Sequence, residues 1–153
     1  MIVINSHQEF EAYLGKELGV SGWHAVTQEQ INQFADATLD HQWIHTDPER
    51  AAIESPFKKT IAHGYLTLSL LPFLWEQIAD IKKLKMQINY GIENLRFAQP
   101  VLSGDEVRLK TKLTGIVNLR GVSKAVIGVE LEIKDQKKPA YSGDVVFLYH
   151  FIG

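Results

Sequence analysis

The segment Asp40-His41-Gln42-Trp43-Ile44-His45-Thr46-Asp47, with His63-Gly64 eighteen residues beyond His45, gathers acid–base groups among apolar ones. Trp43 and Ile44 favour burial, so a carboxylate and an imidazole beside them are candidates for altered proton affinity and for moving protons. Asp40 and His45 are therefore the catalytic candidates. The same residues also fit structural duty, Asp40 closing a turn after a helix and His45 satisfied in the interior. His41 and His45 stand four apart, but Gln42 occupies the place of the glutamate in H-E-x-x-H, and no metal site is expected. Ser55, Ser69 and Ser103 lack the G-x-S-x-G setting of an activated serine, and Gly104, Gly115, Gly121 and Gly128 do not form a phosphate loop. Lys58-Lys59 and Lys82-Lys83-Lys85 read as solvated surface, with contact to coenzyme phosphates as the alternative. Gly64 opens an apolar stretch. The first turn of a helix leaves N–H groups unpaired, and a glycine lets a ligand oxygen approach them. Such N–H groups suit an oxygen that gains charge during a reaction. Tight packing is the other use of Gly64.

The elements that must position these groups divide the chain in two. Residues 6–81 carry helical signals and residues 86–152 carry strand signals, which predicts one α+β domain over residues 1–153. Ser6 with Glu9, and Thr27 with Gln30, are capping boxes. Ile31, Phe34, Ala35 and Thr38 then give a short amphipathic helix ending near Leu39. Residues 40–59 read as an excursion with one helical turn, capped by Asp47 with Pro48 in first position. Residues 61–81 are apolar nearly all round, which predicts a long buried helix that Pro72 kinks or breaks. Strands are predicted over 87–97, 106–117, 122–133 and 141–151, joined as an antiparallel meander that curls around this helix.

Composition bounds the function. The 153 residues are 45% apolar and 22% charged with a net charge of −2, so neither nucleic acid nor an anionic membrane is an expected partner. The absence of cysteine excludes disulfides, thiolate metal sites and cysteine nucleophiles, and fits a cytoplasmic protein. His63, Pro72, Glu76 and Asp80 interrupt the longest apolar stretch, which argues against membrane insertion.

Residues 34–51 and 61–70, continuing through Ile88-Asn89-Tyr90-Gly91 and Arg96-Phe97, resemble the MaoC-like dehydratases, and more narrowly the nodulation-protein-N-like branch that includes (R)-specific enoyl-CoA hydratases. The resemblance implies a hot dog fold, a long central helix wrapped by a curled antiparallel sheet, and a homodimer whose two sheets join. It places Asp40 and His45 on the family's catalytic pair, and Gly64 on the glycine whose N–H faces the thioester oxygen. The implied reaction is reversible hydration of a trans-2-enoyl-CoA to the (R)-3-hydroxyacyl-CoA. No cofactor is implied beyond coenzyme A as part of the substrate. Leu39 departs from the glycine that the family usually carries before the aspartate, and that position is costly for leucine if it needs positive φ. An acyl-CoA thioesterase on the same fold and a non-catalytic acyl-CoA or acyl-carrier-binding protein are the rival readings. Leu71, Leu74 and Trp75 are the expected limits on acyl chain length.

Overall fold

The computed structural model describes residues 1–152. Its elements in chain order are β1 (Ile2–Ile4), α1 (His7–Glu11), β2 (Glu17–Val20), β3 (His24–Ala25), α2 (Gln28–Thr38), α3 (Trp43–Thr46), α4 (Pro48–Glu54), α5 (Gly64–Ser69), α6 (Leu71–Trp75), β4 (Ala79–Ile81), β5 (Leu84–Phe97), β6 (Glu106–Leu119), β7 (Val122–Ile133) and β8 (Tyr141–Phe151). The α+β, hot dog arrangement is as expected, with helices against one large antiparallel sheet.

Local chemistry sets the helix starts. The Ser6 hydroxyl accepts from the Glu9 N–H, that of Thr27 from the Gln30 N–H, and the Asp47 carboxylate from the Arg50 N–H. Each cap satisfies a donor that the first helical turn leaves unpaired, typically worth about 1 kcal/mol. α2 ends at Leu39, whose φ of 67° is left-handed.

The long helix expected over residues 61–81 is instead two short segments. Leu70 closes α5 and Pro72 stands in the first turn of α6, a place that tolerates a missing N–H. The apolar tail of the stretch is not helical: residues 79–81 form β4, parallel to β1, with Ile2 opposite Ala79 and Ile4 opposite Ile81. A short apolar run satisfies a buried strand as well as a buried helix, so periodicity did not separate them. Strands β1–β4 were likewise not anticipated in the first half, and residues 40–59 hold two helices, α3 and α4, rather than one turn.

Strand order in the large sheet is β2-β6-β7-β8-β5, with β3 also on β6. Only β6, β7 and β8 form the expected meander. β5 lies beyond β8, so the connection to β6 crosses from one edge toward the other. The core lies between α5/α6 and the concave face of the sheet. Leu66, Leu70, Leu71, Leu74 and Trp75 meet Leu109, Leu113, Ile127, Leu131, Phe147 and Tyr149, all buried. Trp75 Nε1 donates to the Tyr149 hydroxyl at 2.9 Å, which satisfies both polar tips in the interior. No helix among the described residues is long and apolar enough to cross a membrane.

Candidate active site

Three backbone ties build the site. The crossing connection after β5 runs beside residues 60–62: the Ala62 N–H donates to the Val101 carbonyl at 2.8 Å, and the Ser103 N–H to the Thr60 carbonyl at 2.9 Å. The Ile61 N–H then donates to the Ile44 carbonyl of α3 at 3.0 Å. The segment before α5 is thus pinned on both sides, and α3 is pinned to it.

His45 projects from α3 and is 92% buried. Its Nδ1 donates to the Ile61 carbonyl at 2.7 Å. A carbonyl only accepts, so the ring proton sits on Nδ1 and Nε2 is left as an acceptor. The main chain of His45 is clamped as well: Gln28 Nε2, at the start of α2, donates to its carbonyl at 2.7 Å, and the Thr60 hydroxyl donates to Gln28 Oε1. Burial pushes the His45 pKa below the usual histidine value. The neighbouring His63 adds to that, while the bond to Ile61 and the charge of Asp40 oppose it.

Asp40 follows Leu39 and is half exposed; its Oδ1 accepts from the Gln42 N–H at 3.4 Å. His63, just before Gly64, is buried to 3% exposure. Its Nε2 donates to the Asp40 carbonyl at 3.0 Å and stands 4.0 Å from Asp40 Oδ2. The His45 and His63 rings stack, with centroids 3.9 Å apart and planes at 24°, and the Phe34 ring of α2 tilts against His63 at 4.9 Å. One carboxylate oxygen of Asp40 and one ring nitrogen from each histidine all lie within 4.8 Å of one another. A water donating or accepting at about 2.8 Å from two of these groups spans such a gap. The trio has metal-ligand chemistry, but stacked imidazoles point their in-plane lone pairs side by side rather than at one point, a poor match to tetrahedral coordination.

Beside His45 opens a cavity of about 510 Å³, walled by Ile61, Ala62, Tyr65, Phe97, Val101 and Ala140, with Gly64 and Thr67 on its helical side. Gly64 is the first residue of α5, so its N–H belongs to the turn without intrahelical acceptors. A Cβ on Gly64 would stand 3.0 Å from the Phe97 ring, so this glycine does serve tight packing. The Thr67 hydroxyl is satisfied by the Gly64 carbonyl at 2.7 Å.

Asp40, His45 and Gly64 thus lie in one neighbourhood, although Asp40 is half exposed and is not part of the cavity wall. The expectation for Trp75 is corrected. It and Leu74 are sealed in the core, and the hydrogen bond to Tyr149 uses its only donor. Leu71 instead borders a separate cavity of about 300 Å³, with Leu68, Ser69, Ile92 and Val145. Gln28, Ile61 and Phe97 were not singled out as site residues from the sequence. Gln28 read only as part of a cap, and a carbonyl or a packing ring leaves no local signal.

Residues 9–134 match the MaoC like domain family. Over 150 residues the chain is 43% identical to 3-hydroxyacyl-thioester dehydratase Z of Mycobacterium tuberculosis, covering 97% of this chain and 99% of that one. It is 44% identical over 141 residues to nodulation protein N of Rhizobium leguminosarum bv. viciae, covering 90% and 87%. Among solved structures, the (R)-hydratase from A. caviae involved in PHA biosynthesis superposes with a TM-score of 0.71 at 25% identity, covering 88% of this chain and 94% of that one. The R-hydratase from Pseudomonas aeruginosa superposes with a TM-score of 0.78 at 19% identity over 97% and 88%, a likeness of fold. The chain belongs to the MaoC-like dehydratase family. Its chemistry is accordingly of the hydratase/dehydratase class.

Proposed function

We propose that this protein is an (R)-specific enoyl-CoA hydratase that uses residues 1–153 as one catalytic domain in the cytoplasm. The observation that carries the reading is the convergence of Asp40 and a ring nitrogen of His45 beside a cavity that Gly64 lines. The cavity has the volume of a small-molecule site and mostly apolar walls, which suits a short acyl chain.

Hydration faces two barriers: water is a weak nucleophile, and attack at C3 of a trans-2-enoyl thioester drives charge onto the thioester oxygen. Asp40 and His45 hold one water between them. As its oxygen bonds to C3, the pair takes one proton from it and returns one to C2, so the site ends with the protons it began with. The Gly64 N–H meets the enolate-like oxygen, a contact worth about 3–4 kcal/mol in comparable oxyanion holes. Dehydration runs the same steps backward. No cofactor is required; coenzyme A enters as part of the substrate.

The enzyme acts as a homodimer. β5 is an edge strand with Met86, Ile88, Tyr90 and Ile92 exposed, and a second β5 beside it would continue the sheet across both copies.

The test follows loss of the conjugated thioester absorbance of a short trans-2-enoyl-CoA and assigns the product's stereochemistry. Asp40→Asn and His45→Gln each lower kcat by about 10²–10⁴-fold with folding intact. Because His45 titrates below the usual histidine range, wild-type kcat/KM holds its plateau to a lower pH than about 6.5 before falling as His45 gains a proton. Thiol release without hydration would turn the reading to a thioesterase, and binding without turnover to a non-catalytic acyl-CoA or acyl-carrier-binding protein.

A further inference from the structure

We infer that His63 is the positioning residue of this site, fixing Asp40 through its main chain and His45 through its ring plane. The kinetic part rests on the hydratase reading above.

His63 touches every part of the candidate machinery. It is covalently next to Gly64, donates from Nε2 to the Asp40 carbonyl at 3.0 Å, and stacks on His45 at 3.9 Å. Its Nδ1 is buried with no hydrogen-bond partner among the described residues. The single ring proton therefore belongs on Nε2, where the Asp40 carbonyl accepts it. That bond matters because Leu39, just before Asp40, holds a left-handed φ of 67° at 81% exposure. The αL conformation is costly for leucine, and nothing packs over the side chain to compensate. Among the described residues, the only hydrogen bond to the Asp40 side chain is the long one from the Gln42 N–H. A chain turning through a strained residue needs an anchor after it, and the His63 bond is that anchor.

The stack does a second task. His45 hangs from a four-residue helix, and two facing planes restrict its rotation about the Nδ1–Ile61 bond. Two imidazoles in van der Waals contact also disfavour two positive charges, so His63 works against protonation of His45. The groups around His63 are Asp40 and His45; Phe34 from α2 covers it without charge, and Asp36 of α2 is paired with His41 at 2.9 Å.

Two substitutions separate the tasks. His63→Phe retains a ring to stack and loses the donor, whereas His63→Gln places an amide donor near Nε2 and loses the ring. With a short trans-2-enoyl-CoA, kcat of the Phe variant is expected to fall about 100-fold, with KM changed by about threefold or less, since misplacement by about 1 Å costs that much. The Gln variant is expected to recover at least about tenfold of the loss. In ¹⁵N NMR of the ring without substrate, His45 is expected to titrate at higher pH in both variants. A folded Phe variant with wild-type kcat, or a His45 titration unmoved in both variants, overturns the inference. If the Phe variant does not fold, the His45 titration in the Gln variant decides alone. If the wild-type protein does not hydrate enoyl thioesters, the function fails separately and the NMR result still decides the arrangement.

Discussion

β5 and β7 are written in much the same alternating letters and end in opposite surroundings. In β7 every second residue, from Ser123 to Ile133, is buried, and the strand pairs with β6 on one side and β8 on the other. In β5, Met86, Ile88, Tyr90 and Ile92 alternate with polar residues and glycine as regularly, yet all four are exposed. β5 has one partner, β8, and the register between them shifts three times, whereas β7 and β8 pair without a shift. Alternation therefore encodes that one face wants cover; it does not say whose atoms supply it. For β7 the cover is α5 and α6; for β5 the proposed cover is a second copy of the chain.

The largest contrast comes from making one substitution in both strands. Leu131→Asp in β7 buries a carboxylate between Leu109 and Tyr141, and should cost more than about 4 kcal/mol, enough to abolish the cooperative thermal transition. Ile88→Asp in β5 should leave the far-UV circular dichroism unchanged and convert the dimer to monomer by light scattering. An insoluble Ile88→Asp chain, or a wild-type monomer, would break the comparison. Next in size, Gly143→Ala tests how β5 is held. A Cβ there would stand 2.7 Å from the Leu95 Cα, where β5 bulges over β8. The expected loss is about 1–3 kcal/mol, read as a lower Tm, because backbone has to move rather than a flexible side chain. The smallest effect is a gain. Leu39→Gly relieves the left-handed strain at an exposed site and should raise stability by up to about 1 kcal/mol. Activity near the wild-type level would place Leu39 among tolerated departures, and a large rise would show that the loop limits the site.

The sequence carried the parts of this molecule that are specified locally. Ser6, Thr27 and Asp47 cap where their spacing says, and β7 and β8 run over the residues whose alternation predicts them. It carried less where long-range competition decides. Residues 79–81 are apolar enough for a helix, but Pro72 restarts the helical run and β1 offers hydrogen bonds to a strand. The place of β5 beside β8 depends on partners more than forty residues away. That Asp40, His45 and Gly64 lie in one neighbourhood was legible because all three fall within the segments that carry the family resemblance. Trp75 was misjudged because an apolar helix apolar on all sides does not reveal which side faces a cavity.

The parallel pair of β1 and β4 carries a consequence for the order of events during synthesis. Residues 2–4 are synthesised well before their hydrogen-bonding partners, residues 79–81. At about 5–20 residues per second, that edge waits roughly 4–15 s before a partner has even been polymerised. Residues 2–4 therefore spend those seconds as an apolar segment without its partner.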